Sequence, residues 1–126
     1  MKKIITTKNA PAPIGPYSQA ILNGNTLYTS GQIAINPENG ELVLDDIKTE
    51  SEQVMKNLKG ILDEVEMTFE NVIKTTIFLS DMNNFSQVNE VYGSYFNEET
   101  APARETVAVA ALPKFVNVEI SVIAVK

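Results

Sequence analysis

The chain of 126 residues contains no cysteine and no histidine. The absence of cysteine excludes disulfides, thiolate metal ligands and a cysteine nucleophile. Histidine is the usual general base near neutral pH and the commonest metal ligand, so its absence excludes a Ser-His-Asp triad and a histidine zinc site. Any chemistry must therefore use carboxylates, hydroxyls, Lys, Arg, backbone groups or water.

Positively charged residues are also few. The chain has ten Lys and Arg and sixteen Asp and Glu, which gives a formal net charge of −6. Nucleic-acid binding relies on Lys and Arg, so this balance argues against it. No apolar run approaches the ~20 residues of a membrane span. The apolar stretch near the N-terminus, Ile4-Ile5, is too short for a signal peptide. We expect a soluble cytoplasmic protein with no nucleic-acid or membrane partner.

The composition that remains is typical of a folded globular domain, with 44% hydrophobic and 21% charged residues. No internal repeat, low-complexity tract or linker divides the chain. We therefore expect one domain over residues 1–126.

Four segments carry strand or turn signals in the first two-thirds of the chain. Residues 17–35 predict two strands around the turn Asn23-Gly24-Asn25, because Asn-Gly between β-formers favours a hairpin. Residues 36–40 predict the next turn, leading to a short strand at 41–44. Residues 72–80 are β-rich and predict a further strand.

Two segments show helical spacing of apolar residues. Residues 49–67 form an apolar stripe, and Thr49 followed by Glu52 fits a capping box at the start of the helix. Residues 84–96 form a second stripe, for which the Asn83-Asn84 pair offers a cap. The predicted element order is β-β-β-α-β-α-β-β.

Strands are also predicted at residues 105–111 and 115–126, joined as a hairpin by Leu112-Pro113-Lys114. Two helices can cover only one face of the resulting mixed sheet. The other face would be half apolar, so we expect oligomer contacts to cover it.

Side-chain alternation in this predicted hairpin brings polar groups together. If the apolar faces of the two strands point the same way, Arg104 and Thr106 share a face with Glu119 and Ser121. Thr106 would then lie opposite one of those two residues, with Arg104 one pair further along. A β-bulge would break this register.

The Arg104 guanidinium is a planar fork suited to a carboxylate or phosphate, and it stays charged at any relevant pH. The alternative is a structural salt bridge to Glu119, which the residues alone favour. Glu119 lies between aliphatic residues, so it must be paired, hydrogen-bonded or desolvated. It is therefore either a base or water-positioning group, or a structural partner at an exposed edge.

Four longer stretches, taken in order, resemble the reactive intermediate deaminase (Rid, YjgF-like) family, close to its RidA branch. They are APAPIGPYSQA, YTSGQIAINPENGE, KTTIFLSDMNNFSQVNEVYGSYF and PARETVAVAALPKFVNVEI. The most specific elements are Pro-Ala-Arg, then Leu-Pro-Lys, then Val-Glu-Ile. The resemblance runs nearly end to end.

This resemblance implies a chorismate-mutase-like α+β domain, with a mixed sheet and two helices on one face. It also implies a homotrimer with sites in clefts between subunits. The implied activity is hydrolysis of 2-imino acids, such as 2-iminopropanoate and 2-iminobutanoate, to the 2-oxo acid and ammonia. The family needs no metal and no cofactor.

The resemblance also assigns roles to residues. Arg104 matches the arginine that binds the substrate carboxylate, and Glu119 matches the glutamate that positions the attacking water. The other matched positions line the pocket: Tyr17, Ser30, Gly31, Asn89 and Thr106. From the residues alone, Tyr17, Ser30 and Gly31 would be assigned to turn chemistry and core packing, and Asn89 to a solvated helix position.

Three positions depart from the family pattern. Glu105 follows Arg104 where a small residue is usual, although alternation should point it away from the site. Ala108 and Ala111 stand where close members often carry Glu and Arg. These departures bear on the substrate preference and the level of activity. Two rival functions also stay open: a non-catalytic trimeric sensor of small anions such as 2-oxo acids, and a protein-interaction regulator.

Overall fold

The computed structural model describes residues 1–126 as a six-stranded mixed sheet with two α-helices against one face. The elements follow in chain order: β1 (Lys2–Ile5), β2 (Ala20–Asn23), β3 (Thr26–Thr29), α1 (Ile47–Glu64), β4 (Val72–Leu79), α2 (Phe85–Gly93), β5 (Ala103–Ala108) and β6 (Val118–Val125). The strand order across the sheet is β1-β2-β3-β6-β4-β5. Only β4 and β5 are parallel neighbours. The predicted mixed sheet with two helices is therefore confirmed.

The β2–β3 hairpin forms at the predicted turn. Asn23 pairs with Thr26, and Gly24 between them has a φ of 64°. This left-handed conformation carries little cost for glycine, since it has no Cβ. The Asn-Gly signal therefore located the hairpin correctly.

The other strands of the N-terminal half differ from prediction. β1 pairs antiparallel with β2 and was not predicted, because Ile4-Ile5 is too short a pattern to show alternation. The strand predicted at 41–44 is wrong. Residues 36–40 form the predicted turn, and after it only an isolated bridge joins Ile35 to Leu42.

Helix α1 begins at Ile47, with Asp46 as its N-cap. The Asp46 Oδ1 accepts a hydrogen bond from the Thr49 backbone N–H at 2.8 Å, and this bond lowers the pKa of Asp46. The predicted Thr49–Glu52 capping box is wrong because Asp46 already supplies the acceptor three residues earlier. Glu52 instead accepts a hydrogen bond from the Tyr95 hydroxyl.

Helix α2 is shorter than the predicted 84–96. Asn84 occupies the N-cap position but makes no capping bond with its side chain. Beyond the end of α2, Tyr95 continues to pack on the core. Its ring lies 5.2 Å from that of Phe69, edge to face.

The core lies between the helices and one face of the sheet. On β6 the buried positions alternate as the sequence predicts, with Val118, Ile120, Val122 and Ala124 turned towards the helices.

Neither helix is both long enough and apolar enough to span a bilayer.

The predicted hairpin between the last two strands is wrong, because β4 lies between β5 and β6. Thr75 of β4 pairs with Arg104 on one side and with Val122 on the other. Thr106 is opposite Ile77, and not opposite Glu119 or Ser121. A short linker suggests a hairpin, but residues 109–117 instead carry the chain across the end of β4.

The face of the sheet away from the helices is only partly covered within the chain, by a small apolar cluster that packs against Phe78. Large apolar side chains on it are exposed, including Ile4, Tyr28 and Val107. Glu105 lies on this face, with its Oε1 2.9 Å from the Nζ of Lys74. As alternation predicts, Glu105 therefore points away from Arg104.

Candidate active site

A cleft of about 340 Å³ contains four of the predicted site residues, namely Tyr17, Ser30, Gly31 and Glu119. Its remaining walls are mostly apolar and include Ile14, Ile33, Ile35 and Pro113. A small molecule in this cleft would meet one carboxylate, two hydroxyl groups and two glutamine side chains in otherwise apolar surroundings.

Glu119 is the only acidic side chain that lines the cleft. It is half-buried, and burial raises the pKa of its carboxyl above the ordinary value of 4.5. The physical cause is desolvation, which disfavours the charged form. A carboxylate with a raised pKa is a better proton acceptor, so Glu119 could orient a water and withdraw a proton from it.

Gly31 makes room for this carboxylate. A Cβ at residue 31 would lie 2.6 Å from the Glu119 Oε1 and 2.7 Å from its Cδ, closer than atoms can approach. The backbone of the neighbouring residue, Gln32, fixes Gly31 in this position by pairing with Ile120 of β6. Gln32 N donates to Ile120 O at 2.8 Å, and Ile120 N donates to Gln32 O at 3.1 Å. Any larger residue at position 31 would therefore displace the Glu119 side chain.

Ser30 and Tyr17 are fixed by backbone contacts. The Ser30 Oγ donates to Ser18 O at 2.5 Å. The Tyr17 hydroxyl accepts a hydrogen bond from Ile14 N at 3.3 Å, which leaves its own proton free to donate to a ligand.

Gln19 was missed as a site residue, although the motif that contains it was recognised. Its buried side chain accepts from Thr7 N at 2.7 Å and donates to the carbonyls of Thr7, Ala10 and Pro11. Pro11 lines the cleft. Gln19 therefore ties the N-terminal wall of the cleft to β2.

Asn57 of α1 supports the apolar wall and was also missed. Its fully buried side chain donates to Ile33 O at 3.1 Å and to Ile35 O at 3.0 Å. The available signal was a polar residue at helical spacing within the apolar stripe, between Val54 and Ile61.

Arg104 lies outside this cleft, on the helix side of the sheet. Its Nη1 donates to the Asn89 Oδ1 of α2 at 2.6 Å. Its guanidinium carbon lies 5.1 Å from the Tyr92 ring centre and 5.5 Å from that of Phe85, within cation–π range. Burial raises the pKa of Tyr92, while its hydrogen bond to Thr75 and the charge of Arg104 act in the opposite direction.

The salt bridge predicted between Arg104 and Glu119 is not formed, and Arg104 pairs with no carboxylate at all. The guanidinium is exposed, and of its polar atoms only Nη1 has a partner within the chain. It is therefore available to an incoming anion. Thr106 lies two residues along the same face, and its Oγ1 is shielded from solvent with no hydrogen-bond partner.

Arg104 and Glu119 thus do not form one site within a single chain. Arg104 shares its face with Thr75, which is buried under the helices and bonded to Tyr92. Glu119 pairs with Phe78, three residues further along β4 and therefore on the opposite face. The prediction that these two side chains share a face is wrong, because it assumed that the apolar faces of β5 and β6 point the same way, and they point in opposite directions.

The structure contains no cluster of three or more acidic side chains arranged to hold a metal ion. The polar groups available to a ligand are those of the cleft, around Glu119, and those around Arg104 and Asn89.

Comparison with known proteins identifies close relatives. Residues 7–126 match the family described as Endoribonuclease L-PSP. The chain is 48% identical to mouse 2-iminobutanoate/2-iminopropanoate deaminase over 126 residues, which cover 100% of this chain and 93% of the mouse protein. It is 53% identical over 122 residues to a Lactococcus lactis protein, AldR, whose name describes a candidate regulator, covering 97% and 96% of the two chains.

Solved structures agree with these matches. The crystal structure of YyfA from Yersinia pestis, described as a protein of unknown function of the conserved Rid family, superimposes with a TM-score of 0.96. The two sequences are 52% identical, and the alignment covers 100% of both chains. The mixed sheet with two helices is consistent with the chorismate-mutase-like fold. The chain belongs to the Rid (YjgF-like) family, within the proteins described as Endoribonuclease L-PSP.

Proposed function

We propose that this protein hydrolyses reactive 2-imino acids to 2-oxo acids and ammonia, at sites formed between neighbouring copies in a homotrimer. The observation that carries this proposal is a pair of complementary half-sites. One is a cleft whose single carboxylate, Glu119, is partly desolvated. The other is an exposed Arg104 guanidinium without a carboxylate partner. The name of the mouse relative supports the same reaction.

The position of the two half-sites supports an assembly. Because Arg104 and Glu119 lie on opposite faces of one sheet, a site that uses both needs the Arg104 of one copy beside the cleft of another. The exposed apolar side chains on the face away from the helices, such as Tyr28 and Val107, favour burial against such a copy. A closed ring of copies repeats the same contact at every subunit and leaves no half-site unused.

In the proposed mechanism, Arg104 of one copy holds the α-carboxylate of the imino acid in a bidentate pair. Glu119 of the other copy orients a water towards the imine carbon and accepts a proton from it. The imine nitrogen is protonated, so its carbon is electrophilic. Addition of water forms a C–O bond as the C=N double bond becomes single, which gives a neutral amino alcohol and a protonated Glu119. Glu119 returns this proton to the amino nitrogen and then accepts the hydroxyl proton, so that the C=O bond forms as the C–N bond breaks and ammonia leaves. Ammonia takes up the proton from Glu119 as ammonium, which restores the carboxylate.

This reaction makes modest demands on the protein. Free imines hydrolyse in water without a catalyst, so positioning the two reactants supplies a useful acceleration. No covalent intermediate is required, which suits a chain without cysteine or histidine. The apolar walls of the cleft suit the short aliphatic side chains of 2-iminopropanoate and 2-iminobutanoate.

The test couples a pyridoxal-phosphate threonine dehydratase to this protein and follows the appearance of 2-oxobutanoate. We expect the wild-type protein to accelerate the release of the 2-oxo acid and the Arg104→Ala variant to lose that acceleration. An Arg104→Ala variant as active as wild type would overturn the role assigned to Arg104. Light scattering after size-exclusion chromatography tests the trimer, and a monomer at assay concentration would contradict the shared site.

A second candidate function is a trimeric sensor or protein-interaction regulator that binds a 2-oxo acid without turnover. The name of the Lactococcus lactis relative favours it. Calorimetric binding of 2-oxobutanoate together with no acceleration in the coupled assay would select this alternative. Cleavage of RNA is not proposed, because the net charge of −6 and the absence of histidine suit neither phosphate binding nor general-base catalysis by imidazole.

A further inference from the structure

Glu50 of α1 is a carboxylate that is completely buried and has no positively charged partner. All of its hydrogen bonds reach across to the start of β6. The Glu50 Oε2 accepts from Asn117 N at 2.7 Å and from Val118 N at 3.2 Å. The Oε1 accepts from the Asn117 Nδ2 at 2.8 Å.

A buried carboxylate is costly unless its hydrogen bonds are satisfied. The Glu50 carboxylate makes no hydrogen bond within α1, and most of the buried residues of this helix are apolar. What needs it is the backbone of residues 117 and 118, whose N–H groups bond to Glu50. Glu50 therefore serves the entry to β6.

The chain just before β6 is irregular. Lys114 and Phe115 both have a φ of 56°, a left-handed conformation that non-glycine residues rarely adopt. Pairing with β4 reaches this point, since Val118 lies opposite Leu79 and Ser80 N donates to Asn117 O at 3.1 Å, but it leaves the N–H groups of residues 117 and 118 to Glu50. The Glu50 hydrogen bonds anchor this backbone, directly before Glu119.

A shift of the backbone at residues 117 and 118 would displace the Glu119 carboxylate, because the space around this carboxylate is tight. The carboxylate fits against Gly31 so closely that a single Cβ would clash with it. The pairing between Gln32 and Ile120 fixes the backbone on the other side of Glu119. The carboxylate is thus held between the Glu50 anchor at residues 117–118 and the pairing at residue 120.

We propose that Glu50 is a positioning residue, whose buried carboxylate fixes the backbone of residues 117 and 118 and so places the Glu119 carboxylate in the cleft. The kinetic part of this inference rests on the proposed deaminase function. Glu50 touches no substrate, and it acts through Glu119.

The experiment compares Glu50→Asp with Glu50→Gln. Aspartate keeps the carboxyl group but is one methylene too short to reach both backbone N–H groups. Glutamine keeps the reach, and rotation of the Asn117 amide restores the third hydrogen bond. A shift of the order of 1 Å in a reacting group costs about 10- to 100-fold, so we expect Glu50→Asp to lower kcat by at least about tenfold with KM within about twofold of wild type. We expect Glu50→Gln to retain kcat within about threefold, because a neutral acceptor holds the same N–H groups.

Leu58→Ala is the matched control, because it removes a fully buried α1 side chain that does not line the cleft. It should lower the melting temperature and leave kcat within about threefold of wild type, since its loss is one of core packing. If Glu50→Asp and Leu58→Ala lose kcat equally at equal loss of stability, Glu50 has only a structural role. If Glu50→Gln loses kcat and Glu50→Asp keeps it, the charge matters and the position does not. Either result overturns the proposal.

A readout without turnover separates this inference from the proposed function. In a crystal structure of Glu50→Asp, the Glu119 carboxylate should move away from Gly31, whereas in Glu50→Gln it should stay. An unmoved Glu119 in Glu50→Asp would overturn the positioning role even in an active protein. An inactive wild type with a displaced Glu119 in Glu50→Asp would refute the deaminase function alone.

Discussion

Arg104 and Glu119 lie on opposite faces of the same sheet, and both are placed by β4. Arg104 pairs with Thr75 on one side of β4, and Glu119 pairs with Phe78 on the other side. Because side chains alternate along a strand, an interval of three residues reverses the face. The family resemblance assigns Arg104 and Glu119 to one reaction, but within one chain they are kept apart. A site that uses both must therefore be shared between two copies.

Mixing two inactive variants should restore activity. In a trimer whose sites combine Glu119 of one copy with Arg104 of the next, Arg104→Ala and Glu119→Gln damage different halves of each site. A mixed trimer then keeps one intact site, so random exchange of equal amounts should recover about a quarter of wild-type activity. The measurement is the coupled assay after the two variants are unfolded and refolded together.

The control is the same mixture without refolding, which should stay inactive if subunits do not exchange. A mixture of Arg104→Ala with Arg104→Lys, refolded in the same way, should gain nothing beyond the sum of its parts. If native mass spectrometry shows mixed trimers of Arg104→Ala and Glu119→Gln but the mixture recovers no activity, the site is not shared between copies.

Replacing Arg104 with lysine should remove most of the activity although the charge is kept. An ammonium lacks the planar fork that binds a carboxylate in two places, and it stacks less well on Tyr92. We expect kcat/KM to fall by about tenfold or more, which corresponds to about 1.4 kcal/mol. Kinetics with 2-iminobutanoate measures this, and a lysine variant within twofold of wild type would show that only charge is needed.

The features predicted correctly from sequence are local ones. The β2–β3 hairpin follows from Asn23-Gly24, and the buried face of β6 follows from alternation along a single strand. Helical spacing located the core face of α1 in the same way. Each of these signals lies within about twenty consecutive residues of one element. Within one helix or strand, the backbone geometry determines which side chains share a face.

The arrangement of β4, β5 and β6 could not be predicted in this way. Alternation shows which residues of a strand share a face, but it does not show which strand lies alongside. With β4 inserted between β5 and β6, Val107 is exposed while Val118 is buried, so the apolar faces of β5 and β6 point in opposite directions and Arg104 is separated from Glu119. Glu50 was missed for a related reason, since its partners Asn117 and Val118 are more than sixty residues away.

Gly31→Ala should reduce activity with little loss of stability. The backbone of Gly31 is not left-handed, so alanine carries no conformational strain there. Its Cβ would instead push the end of the flexible Glu119 side chain out of place, and we expect kcat to fall by about 10- to 100-fold. Gly93→Ala is the matched control, because a Cβ there meets nothing within 4 Å. Equal activity of the two variants would show that the close contact between Gly31 and Glu119 has no catalytic importance.

Glu119→Gln should make the folded protein more stable at neutral pH. Burial raises the pKa of Glu119 in the folded state above the ordinary value of 4.5, so the folded protein holds this proton more tightly than the unfolded chain does. The stability of wild type should therefore fall as the pH rises from about 4.5 through the raised pKa, and glutamine, which does not ionise, removes that fall. Melting temperatures of both proteins between pH 4 and pH 8 measure the difference. The two curves should lie close together at the acid end and separate as the pH rises, with the variant higher. If the variant is instead lower at pH 7, the ionised carboxylate is stabilised in the assembled protein, and the opposing charge would have to come from a cation supplied by another copy.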